Sequence, residues 1–185
     1  MRTLFIALLS TFMLNTSFAQ QIEGTEIGFD GYFGASTNGG SFSIGGKYGM
    51  KFRDNFIAGP SVRFQRNWNK NPVAGFSNSY NVFGLGAFVH GRFANVLFGG
   101  LEFEYMRTPF AVNVVTSNGP TWSPALFVGG GYSQEFNESF RINAGIMYDV
   151  INHVNSPFRQ GYFMRNAQNA LIPLIYRITF FFVLT

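Results

Sequence analysis

The chain has 185 residues, 46% of them hydrophobic and 18% aromatic but only 12% charged, with a formal net charge of +4. So many aromatic residues exclude an intrinsically disordered chain, and the length suits one domain with a closed core. The absence of cysteine excludes a disulfide scaffold and a lipid-modified cysteine anchor.

Residues 1–19, "MRTLFIALLSTFMLNTSFA", carry one basic residue, an apolar stretch from Leu4 to Leu14 and the small-residue site Ser17-Phe18-Ala19 before Gln20. This is the pattern of a cleaved signal peptide, with an apolar centre too short to span a bilayer comfortably. The expected mature domain, 20–185, has no run of about 18 apolar residues, so no transmembrane helix is expected.

The mature chain instead alternates with period two in segments broken by turn residues, which is the signature of β-strands. Eight strands are predicted, at about 26–35, 41–52, 56–68, 80–92, 95–107, 122–134, 140–151 and 170–184. In the first, Phe29 and Phe33 oppose Asp30. In the second, Phe42, Ile44, Tyr48, Met50 and Phe52 oppose Ser41, Ser43, Lys47 and Lys51. The fifth sets Leu101, Phe103 and Tyr105 against Glu102 and Glu104. The seventh sets Phe140, Ile142, Ala144, Ile146, Tyr148 and Val150 against Arg141, Asn143 and Asp149. The eighth sets Tyr176, Ile178, Phe180, Phe182 and Leu184 against Arg177 and Thr179.

Such strands build either a soluble barrel with its aromatic face inward or a membrane barrel with that face outward. Volume decides between them. The interior of eight strands is only wide enough to be filled by side chains, and it cannot hold the aromatic phase of every strand. Many glycines share the charged phase, Gly28, Gly45, Gly84, Gly86, Gly129 and Gly145 among them, leaving room for long polar side chains in a narrow lumen. The predicted fold is therefore all-β, an eight-stranded antiparallel up-and-down transmembrane barrel with the charges inside. Short links at 53–55, 93–95 and 135–139 alternate with longer ones at 69–79, 108–121 and 152–169, as periplasmic turns and extracellular loops do. The aromatic, apolar last strand is expected to close the sheet against the first, because no open edge is tolerated in lipid.

The segments "LEFEY" (101–105), "WSPALFVGGGY" (122–132), "GIMYDV" (145–150) and "YRITFFF" (176–182) resemble the small eight-stranded outer-membrane barrels of Gram-negative bacteria, the OmpX- and OmpA-like class. The resemblance extends over the whole mature chain. It implies an integral outer-membrane location and assembly by the barrel-assembly machinery, which in that class reads a last strand of alternating aromatics. This chain departs from that pattern by ending Val183-Leu184-Thr185.

The inward phase collects Glu26, Asp30, Glu102, Glu104 and Asp149 with Lys47, Lys51, Arg63, Arg92, Arg141 and Arg177. Charges buried in so narrow a space must be paired, so these are expected to form a network that plugs the lumen rather than a selective pore. His90 is expected to be an interior hydrogen-bonding residue. In the last loop, "NHVNS" offers His153 and Ser156 near Asp149, an enzymatic alternative of the lipid A-modifying kind. His and Ser three apart need not converge, however, and no enzyme activity, cofactor or metal is expected.

No acidic residue follows Asp149 or falls between Asp54 and Glu102 or between Glu104 and Glu135, whereas Arg66, Lys70, Arg107, Arg159 and Arg165 lie in or near the long loops. The outer face should be basic and suited to lipopolysaccharide phosphates or another polyanion. Candidate contact residues are Arg66, Trp68, Lys70, Phe158, Arg159, Tyr162, Phe163 and Arg165, and the aromatics among them could equally fold over the mouth as a lid. The expected function is a non-enzymatic outer-membrane barrel whose basic, aromatic loops contact envelope lipid, surface polymer or a protein partner through 152–169. The alternatives are an accessory subunit of a larger complex, a lipid A enzyme or a small pore. No nucleic-acid partner is expected.

Overall fold

The computed structural model describes residues 22–36, 39–52, 55–71, 76–94, 96–108 and 121–184. The expected signal peptide lies outside them, as do most of the 108–121 loop and the side chains of 35, 36, 69–71, 76 and 78. The strands are β1 (Ile22–Ser36), β2 (Gly39–Phe52), β3 (Phe56–Asn71), β4 (Phe76–Phe93), β5 (Leu97–Thr108), β6 (Thr121–Asn137), β7 (Phe140–Asp149), β8 (Met164–Arg165), β9 (Leu171–Ile172) and β10 (Leu174–Leu184). A single 3₁₀ turn, Pro157–Gly161, interrupts the last loop.

Strands β1 to β7 and β10 form a closed antiparallel barrel in which each pairs with its chain neighbours and β10 returns to β1. Closure runs through Ile27↔Phe182, Phe29↔Phe180 and Gly31↔Ile178. From Ile178 to Phe182 the last strand is thereby paired on both sides, with β7 as the other neighbour, and the barrel sheet has no open edge. On the outside of this seam the rings form a ladder. Phe140 stacks on Phe180 at 6.3 Å and lies 5.1 Å from Phe182, which in turn lies 6.2 Å from Phe29.

Alternation governs the wall as the sequence predicts. Along β5, Leu101, Phe103 and Tyr105 are exposed, and Glu102, Glu104 and Met106 between them are buried. The interior layers its residues. Toward the end that holds the short turns, Ile57, Phe88 and Phe181 cluster. Toward the loop end, Val82, Met106, Ala125, Phe127, Met147 and Ile175 cluster with Phe158 and Tyr162 of the last loop. The charged residues lie between and around these layers, with Lys47 over the Phe88 ring and Arg177 over the Phe127 ring.

Several boundaries differ from expectation, and β1, for one, starts at Ile22 rather than 26. The predicted 69–79 loop is mostly strand, because β3 and β4 stay paired out to Asn71↔Phe76. The backbone ladder there does not depend on an apolar face once the hairpin leaves the hydrocarbon. The sixth strand continues to Asn137, with a bulge between Glu135 and Asn137, before a tight turn in which Asn137 accepts the Ser139 N–H. The last barrel strand starts at Leu174 rather than 170. Pro173, which cannot donate to a ladder, separates it from a hairpin in which Met164 pairs with Ile172 and Arg165 with Leu171.

Candidate functional site: a charged lumen under a loop plug

Mid-lumen, three acids from two strands meet three bases from three others. Lys47 of β2 donates to Glu102 at 2.6 Å and lies 3.2 Å from Asp30. Arg63 of β3 grips Glu104 with two nitrogens, at 2.6 and 3.0 Å, and holds Asp30 at 2.7 Å. Arg177 of β10 bridges Glu102 at 2.6 Å and Glu104 at 2.8 Å. His90 shares Glu102 at 2.8 Å. Every member is almost wholly buried, so the charges are compensated by one another rather than by water. Gly45 makes the cluster possible: a Cβ there would stand 2.8 Å from the Asp30 oxygens and 2.9 Å from the Arg63 guanidinium.

The other predicted lumen charges fall into separate groups. Glu26 and Arg92 form a two-bonded pair at 2.7 and 2.5 Å near the turn end. Arg141 pairs with its cross-strand neighbour Glu135, an acid placed in a turn by the sequence reading because β6 was expected to stop at residue 134. Lys51 lies half-buried near the same end of β2.

Asp149 corrects the expected network. Among the described residues no base pairs with it. One oxygen accepts the Tyr162 hydroxyl at 2.8 Å, and the other accepts the Leu126 and Asn152 N–H groups at 3.3 and 3.1 Å. At the end of β7 this carboxylate anchors the last loop instead of balancing a lumen cation.

The loop it anchors is a plug. Phe158 enters the mouth edge-on to Phe127 at 4.9 Å, with the Arg63 and Arg177 guanidiniums 5.6 and 5.9 Å from its ring. Gln65 donates to the Pro157 carbonyl at 3.0 Å. Phe158 and Tyr162, read as contact candidates, are each only 7% exposed and are corrected to interior residues. Both pack into the apolar cluster at the mouth, where the Tyr162 hydroxyl also finds the Asp149 carboxylate, so they turn inward as the lid alternative describes.

The remaining contact candidates divide by location. Phe163 and Arg165 are exposed beside the small β8–β9 hairpin, and Arg165 donates to the Asn169 carbonyl at 2.9 Å. Arg159 is half-buried and donates to Asn152 at 2.7 Å. Arg66 points outward from the barrel wall, and Trp68 is half-buried, 6.2 Å from Phe33. Lys70 belongs to β3, and its side chain lies outside the described ones.

Asp149, His153 and Ser156 do not form a relay. The Asp149 oxygens are engaged as above, and His153 Nδ1 meets the hydroxyl of Ser123 at 3.0 Å and the Asn155 N–H at 3.3 Å. Ser123 lies wholly inside the wall. Among the described residues no group of His, Asp and Glu has the makings of a metal site.

The outer surface defines the class. Phe29, Phe83, Leu85, Leu101, Ile146 and Ile178 are each 40–65% exposed around the full circumference, far beyond the apolar patches that water-soluble monomers show. With charges inside, an apolar wall outside and no free edge, the chain is an integral β-barrel of the outer-membrane type. No family model matches it, and no curated protein does. Among solved structures it is similar to the Yersinia pestis outer membrane protein Ail in a phospholipid bilayer nanodisc, with 15% identity over 88% of this chain and 100% of that one and a TM-score of 0.43.

Proposed function

We propose that this protein is a closed, non-enzymatic barrel of the Gram-negative outer membrane whose loop end offers a cationic contact surface to anionic envelope lipid or surface polymer. The observation that carries the reading is the double use of the last loop. Its buried half, Phe158 and Tyr162, seals the mouth, and its other half holds Phe163, Met164 and Arg165 outward. No acidic residue follows Asp149, so the Arg159 and Arg165 charges are not offset within that loop. A surface of this kind attracts polyanions through long-range charge and loses them as salt rises.

The test is retention of the detergent-solubilised barrel on an immobilised sulfated polysaccharide across a salt gradient. Arg159→Gln with Arg165→Gln should elute at lower salt than the parent with unchanged thermal unfolding. Co-elution of the two would contradict the reading.

A second reading, a subunit of a larger assembly, is favoured by the exposure of Phe163 and Met164, 47% and 44%, at the hairpin. Apolar groups held outward beside an arginine suit a protein contact. Mild-detergent extracts on a non-denaturing gel separate the two readings. Migration near the barrel's own mass supports the first. A much larger species that is lost on Phe163→Ser with Met164→Ser supports the second.

A further inference from the structure

The outward wall is indented beside Gly46. Most lipid-facing positions on β2, β3 and β4 are large, but Gly46 on β2 has no side chain, and the groove beside it, about 600 Å³, runs past Val62, Phe64 and Phe83 to Arg107 and Trp122. A second hollow of about 260 Å³ adjoins it through the same Gly46 and Val62 and continues toward Ile27 and Tyr48. Volumes of several hundred Å³ are those in which proteins hold small ligands.

Charge identifies the occupant. Arg107 is the penultimate residue of β5 and faces outward, cross-strand from Phe83 on one side and Trp122 on the other. Arg66 faces outward on β3, opposite Asn81 of β4, two residues from Phe83. The two arginines therefore flank β4, two strand spacings and two residues apart, or roughly 12 Å. Among the described residues neither has a carboxylate partner. A lone cation on a lipid-facing wall is tolerated only near the interface, where a head group can meet it, and guanidinium is suited to binding phosphate through two hydrogen bonds.

We infer that this groove holds one acyl chain of an anionic phospholipid, with the chain lying over Gly46 and Val62 and its phosphate, which no cationic head group offsets, on Arg107. Arg66 adds attraction from the other side of β4. The inference rests on the reading of this wall as lipid-facing.

Tryptophan quenching tests it directly, because the chain has two Trp residues and Trp68→Phe leaves Trp122, which lines the groove. The single-tryptophan barrel is reconstituted in phosphatidylcholine vesicles containing a minor fraction of either brominated phosphatidylglycerol or brominated phosphatidylcholine. The expected result is half-maximal quenching at a several-fold lower fraction of the brominated phosphatidylglycerol. Arg107→Gln should bring the two curves together, and Gly46→Leu, which fills the groove from the outside, should reduce the preference. Both variants are checked for folding by heat-dependent migration on a gel. Coincident curves in the parent overturn the inference while leaving the membrane reading intact, and so does a preference that survives Arg107→Gln. Failure of either brominated lipid to quench Trp122 overturns both.

Discussion

Glu104 satisfies two arginines from opposite sides of the lumen, Arg63 through two bonds and Arg177 through one. Glu104→Ala leaves both cations buried and under-compensated, so it should cost about 3–5 kcal/mol in urea unfolding from detergent micelles. By contrast, Glu26→Leu with Arg92→Met removes a whole pair and should cost less than either single change, since no orphan charge remains. Tyr162 gives a pH-dependent case in the loop. Burial, then its hydrogen bond to Asp149 and the charge of that carboxylate, raise the phenol well above its ordinary value of 10. A group raised in the folded state stabilises it fully below the unfolded pKa and loses that contribution as pH climbs through the folded value. The Tyr162–Asp149 latch should therefore hold through neutral and moderately alkaline pH. Tyr162→Phe should weaken it by about 1.5–3 kcal/mol, the range for a hydrogen bond to a charged group. Loss of the difference between parent and variant already near pH 8, followed by unfolding or by proteolysis of the loop, would contradict this.

At the scale of elements, two barriers lie in series along the lumen, the 3₁₀ plug and the charge cluster beneath it. Phe158→Ala removes the ring packed on Phe127 and should loosen the loop at a cost of about 3–5 kcal/mol. The cluster of Asp30, Lys47, Arg63, Glu102, Glu104 and Arg177 remains, so the variant should still show no conductance steps in planar bilayers. Channel activity on this single change would mean that the plug alone seals the barrel. The strands that carry the cluster were legible in sequence because a half-apolar wall forces strict alternation, as in Leu101 to Met106. The inward phase revealed which charges enter the lumen, but not their partners, which depend on how the staggered strands bring positions together across the barrel. Glu135 is not legible as a strand residue, because a bulge extends β6 beyond the point where alternation fades. For Phe158 and Tyr162 the sequence allows both an exposed and a lid-forming place, because a loop has no periodicity to say which way a side chain turns. The β3–β4 hairpin beyond Trp68 has the sequence of a loop because, outside the hydrocarbon, polar residues on both faces are compatible with strand pairing.

For the whole molecule, the same inversion that places ions inside places Phe, Leu, Ile and Tyr outside, and one environment must cover that belt from β1 round to β10. The central claim is that this environment is lipid. The chain has no cysteine, so single introduced cysteines carry spin labels without background reaction. The decisive measurement is the accessibility of such labels, in vesicle-reconstituted protein, to oxygen and to a water-soluble nickel chelate. The sites are Leu101, Ile146 and Ile178 on three different strands, with Gln168 on the exposed hairpin as the reference. Labels at the three wall positions should be relaxed strongly by oxygen and little by nickel, with the order reversed at Gln168. Nickel accessibility at Leu101, Ile146 and Ile178 equal to that at Gln168 would mean that water covers the wall, and the membrane barrel would be the wrong account of this fold.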